Sequence, residues 1–358
     1  MQKDYIHTLR PLIIAGPCSA ESLDMCLTTA ERLKSVGVNV FRAGLWKPRT
    51  QPDCFEGVGA KGLAWLKEVK QATDMLVATE VATAEHVRQC AKYDIDIVWI
   101  GARTTTNPFM VQQIADALSE IPTDKQPCVM IKNPINPDLK LWVGAINRIS
   151  RAGIKNIIAI HRGFSTNNVY TIYGHEDKPL RNQPLWSIPI ALRQELPDIK
   201  VICDPSHLTG HNELVSVVAK QAIAMNMDGL MIEVHPAPIH ALSDKEQQLS
   251  IKQFEELLPQ LLTQQTEKGQ NELTEYREQI DEIDNALWQL IAQRHQIAVQ
   301  IGQCKKQNQI PVFQEQRYLQ LLQSRIHQAT AQGISPKLPR QSSTHFTKTL
   351  SVRKSNFL

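Results

Sequence analysis

Eight short apolar runs, each followed by a helix-length amphipathic stretch, and one long helical pattern beyond them predict an α/β protein: a closed (β/α)8, or TIM, barrel followed by a small all-α domain with a long first helix. Eight βα units in about 250 residues is the size and period of such a barrel. The break is abrupt, because the alternation ends near Leu262 and a helical spacing of three and four takes over from Glu272.

The runs are Leu12–Ala15, Val38–Arg42, Leu76–Thr79, Ile97–Ile100, Cys128–Lys132, Ile157–His161, Lys200–Cys203 and Gly229–Val234. Each is nearly continuously apolar, as expected of parallel strands covered on both faces. Helical stretches lie between them, among them Leu23–Ser35, Gly62–Ala72, Val111–Ser119 and Leu214–Met225. An open doubly wound sheet is the alternative. It is disfavoured because no glycine-rich dinucleotide turn follows any run. The expected divisions are a barrel over 1–265, a polar linker over 266–271, a helical domain over 272–334 and a basic, disordered tail over 335–358.

The long helix carries Tyr276, Ile280, Ile283, Leu287, Leu290, Ile297 and Ile301 in one stripe and is stopped by Pro311. At 1.5 Å per residue it is about 50 Å long, which calls for a coiled-coil-like partner and hence a homodimer. A second helix is predicted over Gln314–Gln332, with Leu319, Leu322 and Ile326 on one face. Past Ile334, Pro336 and Pro339 interrupt any periodicity.

Composition excludes several classes. The 358 residues are 42% hydrophobic and 21% charged with a formal net charge of +3, too small a bias for a nucleic-acid or membrane-surface binder. Seven cysteines without CxxC pairs point to free thiols in a reducing cytoplasm rather than to a disulfide framework. No apolar run approaches the about 20 residues of a membrane span, and Met1–Leu12 lacks the pattern of a cleaved signal.

In a barrel the chemistry lies at the C-terminal ends of the strands. There the sequence offers Arg42, Lys47, Arg49, Arg103, Lys132 and Arg162 from four strand ends. Cations converging on one concave mouth repel one another unless an anion joins them, and phosphates and carboxylates are the natural guests. Cys18, His207, Glu233 and Asp244 fall on the same face and offer a thiolate, an imidazole and two carboxylates, a donor set for a divalent metal. Singly, each has a plainer reading: a small buried hydrophobe for Cys18, a satisfied core histidine for His207, a helix cap for Asp244.

Gly16-Pro17-Cys18-Ser19, Lys47-Pro48-Arg49-Thr50, Gly101-Ala102-Arg103, Asp204-Pro205-Ser206-His207 and Glu233-Val234-His235-Pro236 resemble the motif set of the short type I DAHP (3-deoxy-D-arabino-heptulosonate 7-phosphate) synthases. The resemblance runs from about Leu12 to Leu262, with Gln51 where serine is usual. It implies condensation of phosphoenolpyruvate with erythrose 4-phosphate and water, on a metal held by Cys18, His207, Glu233 and Asp244. Mn²⁺, Fe²⁺, Co²⁺ and Zn²⁺ all suit those ligands. It further implies that Arg103, Lys132 and Arg162 hold phosphoenolpyruvate with help from Arg42 and Lys47. Arg49 and Thr50 hold the erythrose phosphate, and Asp204 contacts its hydroxyls. The proton donor is left between Lys47 and a metal-bound water. The related KDO8P synthases, which take arabinose 5-phosphate, carry an Asn-rich variant of the Lys47–Thr50 motif, so that alternative is disfavoured. A non-catalytic assembly protein is disfavoured by the complete metal set.

On the long helix Arg294 occupies a position where the stripe calls for an apolar residue, and Lys305 follows about three full turns later on the same side. Arg277 is about 100° away from them, placed to serve an equivalent pocket in a second, antiparallel copy. Tyr276-Arg277-Glu278-Gln279-Ile280-Asp281 resembles the opening helix of the all-helical chorismate mutases. The resemblance assigns Arg277, Arg294, Lys305 and Arg317 to chorismate or prephenate. Gln314 and Tyr318 depart from the acidic residues common there, and a third helix is not legible after Ile334.

Overall fold

The structure, a computed structural model, describes residues 6, 8–48, 53–167, 169–172, 174–262, 270–311, 313–336, 338–340 and 342, with the side chains of 270–275 excepted. Two compact units divide the chain, Met1–Gln264 and Gln265–Leu358.

The first unit is a closed parallel barrel. Its strands are β1 (Leu12–Gly16), β2 (Val40–Arg42), β3 (Leu76–Val81), β4 (Ile97–Ile100), β5 (Cys128–Lys132), β6 (Ile157–His161), β7 (Lys200–Cys203) and β8 (Gly229–His235). Each pairs with the next, and β1 pairs with β8 from Leu12↔Gly229 to Gly16↔Glu233, which closes the ring. A two-residue strand, β9 (Leu249–Ser250), extends the end of β8 through Val234↔Leu249.

Side chains alternate along a strand, so one residue in two faces the barrel axis. Ile6, Leu12, Ile14, Val40, Leu76, Ala78, Ile97, Trp99, Met130, Ile158, Ile160, Ile202 and Met231 form that inner column. The alternate residues, such as Ile13, Phe41, Val77, Val98, Val129 and Ala159, pack outward on the helices. Carrying the inner phase to the strand ends brings Gly16, Arg42, Glu80, Gly101, Lys132, Arg162, Asp204 and Glu233 into one layer. Among these, Arg42, Glu80, Lys132, Arg162, Asp204 and Glu233 are buried. The site is therefore the top rung of the same alternation that builds the core.

Two glycines make room for that rung. Gly16 has φ +148°, and a methyl group on it would collide with the Arg42 carbonyl. Gly101 lies against the Glu80 carboxylate, where any side chain would displace the acid. The helices start where the sequence supplies oxygen caps: Ser22, Thr83, Asn107 and Asp138 each accept a backbone N–H from the first turn of the following helix.

The second unit is helical. Its first helix runs Gln270–Gln307 and its second Glu315–Ala331. The first ends before Pro311: Gln309 turns to φ +55° and the Ile310 N–H closes on the Lys305 carbonyl at 2.9 Å. Tyr276, Ile280, Ile283, Leu287, Leu290, Ile297 and Ile301 are all exposed in the single chain. Helical backbone resumes at 338–340, where the sequence reading expects a disordered tail. Proline breaks a helix interior but is tolerated in a first turn, so Pro336 and Pro339 need not end helical structure there.

Candidate active site

The Asp204-Pro205-Ser206-His207 motif is a helix start. Asp204 is the N-cap of the short helix Pro205–Thr209 and accepts the His207 backbone N–H through Oδ1 at 3.0 Å. Proline at the first helical position loses no hydrogen bond, and His207 is thereby held over the mouth. The Asp204 carboxylate also meets His207 Nδ1, at 2.9 Å from Oδ2, and accepts from Lys132 Nζ at 2.7 Å. Burial alone would raise the Asp204 pKa, but His207 and Lys132 hold it well below the usual carboxylate range. Burial lowers the His207 pKa from its ordinary value, against the opposing pull of Asp204.

Arg42 is fully buried beneath the mouth. Its Nη2 faces Glu233 Oε1 at 3.1 Å and donates to the Cys18 carbonyl at 3.3 Å. The guanidinium carbon lies 4.8 Å from the centre of the Trp99 ring, and Lys132 Nζ lies 5.9 Å from it. Trp99 therefore offers the negative charge of its π system to two inward cations, while its Nε1 donates to Glu80 Oε2 at 3.2 Å. Arg162 donates to Asn182 Oδ1 at 2.9 Å. Burial pulls Arg162 down to about 10, which still leaves it cationic at neutral pH.

Above this layer opens a cavity of about 420 Å³ lined by Lys47, Arg103, Lys132, Arg162 and Arg181, with Glu80, His207 and Asp244 on the same wall. Of the six cations read from the sequence, Lys47, Arg103, Lys132 and Arg162 reach it, whereas Arg42 supports it from below. Arg49 and Thr50 lie outside the described residues.

The four proposed metal ligands meet in pairs. Cys18 Sγ is 3.2 Å from Asp244 Oδ2, and His207 Nδ1 is 3.7 Å from Glu233 Oε1. Among the described residues no three His, Cys, Asp or Glu side chains close around one point. Local partners account for this. Lys47 Nζ donates to Cys18 Sγ at 3.0 Å, and His207 turns its Nδ1 to Asp204. Burial, then Glu233, pushes the Cys18 thiol up to about 12. The donor set nonetheless fits a divalent cation. It combines one sulfur, one imidazole and two carboxylates on one barrel end, and Glu233 Oε1 is a buried acceptor to which no donor is aligned as a hydrogen bond.

Several residues at the mouth were not legible as such. Glu80 continues the inward phase of Leu76 and Ala78, but a strand ended at Thr79 leaves it out. Arg181 and Asn182 come from the long excursion between β6 and the helix Ser187–Glu195, which has no periodicity to place them. Cys54 lines the cavity and is exposed. Cys26, Cys90, Cys128 and Cys203 are buried as small hydrophobes, whereas Cys304 is exposed on the long helix.

In the helical unit Arg294 and Lys305 are half-buried and Arg277 and Arg317 exposed. Burial and then the neighbouring charge of Arg325, from the second helix, lower the Arg294 pKa. Two arginines from two helices thus share one environment, and Arg325 is a further cation that the sequence reading missed.

Residues 7–270 match the DAHP synthetase I family, and residues 276–342 match chorismate mutase type II. The phospho-2-dehydro-3-deoxyheptonate aldolase of Thermotoga maritima is 34% identical over 250 residues, covering 70% of this chain and 68% of that protein. A 2-dehydro-3-deoxyphosphooctonate aldolase of Geobacter sp. strain M21 is 31% identical over 272 residues, covering 70% of this chain and 91% of that protein. The crystal structure of the Thermotoga maritima DAHP synthase superposes with a TM-score of 0.60 at 32% identity, over 70% of this chain and 67% of that one. No helix among the described residues is long and apolar enough to cross a membrane. With the family matched over most of the chain and its barrel reproduced, this protein belongs to the DAHP synthetase I family and carries a chorismate mutase type II domain after the barrel in sequence.

Proposed function

We propose that the barrel condenses phosphoenolpyruvate with erythrose 4-phosphate and water to give DAHP and phosphate. The observation that carries this reading is the cavity in which Lys47, Arg103, Lys132 and Arg162 face the same space as His207 and Asp244. Arg103, Lys132 and Arg162 hold the phosphate and carboxylate of phosphoenolpyruvate. Arg42, buried beneath the mouth and paired with Glu233, adds positive charge below that anion site. Arg49 and Thr50 take the erythrose phosphate, and Asp204, fixed by Lys132 and His207, receives its hydroxyls. Holding both substrates with their reacting carbons in contact removes most of the entropic barrier to C–C bond formation.

Cys18, His207, Glu233 and Asp244 hold a divalent metal, Mn²⁺, Fe²⁺, Co²⁺ or Zn²⁺, which when bound makes the aldehyde electrophilic. Lys47 Nζ, beside Cys18 and open to the cavity, donates a proton to the aldehyde oxygen as C3 of phosphoenolpyruvate attacks. Water adds at C2, and phosphate leaves by cleavage of the C2–O bond.

In the helical unit, Arg294, Lys305 and Arg317 bind the carboxylates and ether oxygen of chorismate and favour its compact conformer on the way to prephenate. The exposed apolar stripe of the long helix packs against a second copy, whose Arg277 completes the site.

A product assay with phosphoenolpyruvate and each sugar phosphate tests the barrel reading. DAHP should form with erythrose 4-phosphate, be lost on chelation and return with added metal. Preference for arabinose 5-phosphate would assign the chain to the phosphooctonate branch instead. A parallel assay of chorismate conversion tests the helical unit.

A further inference from the structure

Cys18, Glu233 and Asp244 belong to three separate places in the sequence, yet the short segment 243–248 touches all of them. Asp244, its second residue, turns at φ +43°. Gln247, 1% exposed, donates Nε2 to Glu233 Oε2 at 2.7 Å. Gln248, fully buried, accepts the Cys18 backbone N–H through Oε1 at 2.9 Å and donates Nε2 to the Ser243 carbonyl at 2.8 Å. Ser243 Oγ in turn lies 2.7 Å from Ser19 Oγ. From the cavity side, Arg181 donates Nη1 to Gln247 Oε1 at 2.8 Å and faces Asp244 Oδ1 at 3.6 Å.

The chemistry of these contacts is specific. Buried amides with both ends engaged have little rotational freedom, because any turn leaves a polar group without a partner at a cost of about 1–3 kcal/mol. A neutral amide donor fixes one oxygen of Glu233 without cancelling its charge. The other oxygen, Oε1, faces Arg42 Nη2 at 3.1 Å but has no donor aligned on it as a hydrogen bond. A cation needs this arrangement, in which a ligand's orientation is set while its negative charge is kept.

We propose that Gln247 and Gln248 are positioning residues of the metal centre. Gln247 sets the rotation of the Glu233 carboxylate. Gln248 sets the backbone of Cys18 so that its Sγ lies beside Asp244. Arg181 holds Gln247 and links the pair to the substrate cavity. The inference rests on the reading of Cys18, His207, Glu233 and Asp244 as metal ligands.

The test is titration of the metal-free full-length chain with Co²⁺ alone, followed by calorimetry and by the thiolate-to-cobalt absorption of Cys18. Gln247→Met and Gln248→Met keep side-chain length and remove the amide. Each should weaken Co²⁺ binding about 10–100-fold, the range for residues that orient ligands. Gln248→Met should also shift the thiolate absorption. Arg181→Met, at a partly exposed position, should weaken binding by a smaller factor and carries the test if a glutamine variant fails to fold. Cys18→Ser separates the two readings. If the parent chain gives no Cys18-dependent absorption, the metal assignment falls and the inference with it. If the parent binds but the folded methionine variants bind within about twofold of it, with an unchanged spectrum, the glutamines merely stabilise the loop and the inference alone is overturned.

Discussion

The barrel mouth and the helical unit both collect cations, and they hold them in opposite ways. In the mouth, Arg42 and Lys132 are buried on strand ends and paired at 3.1 Å and 2.7 Å with Glu233 and Asp204, carboxylates that are themselves buried. In the helical unit, Arg294 is half-buried beside another arginine, on a helix whose apolar stripe is exposed. The same residue type therefore has different consequences. Arg42 and Lys132 are part of the fold, and removal of either strands a buried carboxylate. On the proposed reading, Arg294 serves chiefly to bind the ligand of the helical unit.

The sharpest way to break this contrast is Arg42→Met. It leaves Glu233 buried opposite an apolar chain and should cost about 3–5 kcal/mol in urea unfolding, together with loss of DAHP formation. A variant of parental stability would mean that the pair is not a structural unit. Lys132→Met should follow, with a fall in kcat of about 10²–10³ from the loss of one preorganised charge at the reacting centre. A rise in KM alone would reduce Lys132 to a binding role. Arg294→Met tests the other region: its unfolding free energy should stay within about 0.5 kcal/mol of the parent while prephenate formation collapses. A large stability loss there would erase the distinction between the two units.

The smallest effect sharpens the background against which the others are read. Burial would lower the Lys70 pKa, but the hydrogen bonds it donates to Asp96 and Asp94 outweigh that effect and raise it. A raised folded value means that the contribution is complete below the unfolded pKa of about 10.4 and disappears as pH climbs through the folded value. Lys70→Met should accordingly be less stable than the parent by roughly 1 kcal/mol at neutral pH, with the gap closing in strong alkali.

The strands were legible because Ile, Val and Leu crowd them. The residues after each strand were legible because the barrel fixes where its chemistry must lie. Arg42, Lys132, Arg162, Asp204 and Glu233 follow from those two facts. Glu80 is hidden because its strand runs two residues past the apolar run that marks it, to Val81. Gln247, Gln248 and Arg181 were illegible for a deeper reason. Their significance lies in contacts with Glu233, Cys18 and one another across the fold, and an uncharged glutamine in a polar stretch carries no local sign of such a contact. Helical backbone at 338–340 was hidden by Pro339, which reads as a breaker unless its place in the first turn is known.

The inner column of the barrel ends below in Ile6, fully buried, with Leu9 packed against the same cluster. Among the described residues that plug fills the end of the barrel away from the cavity. On the proposed reading, substrates therefore arrive and products depart on the side where Lys47, Arg103 and Arg162 line the cavity.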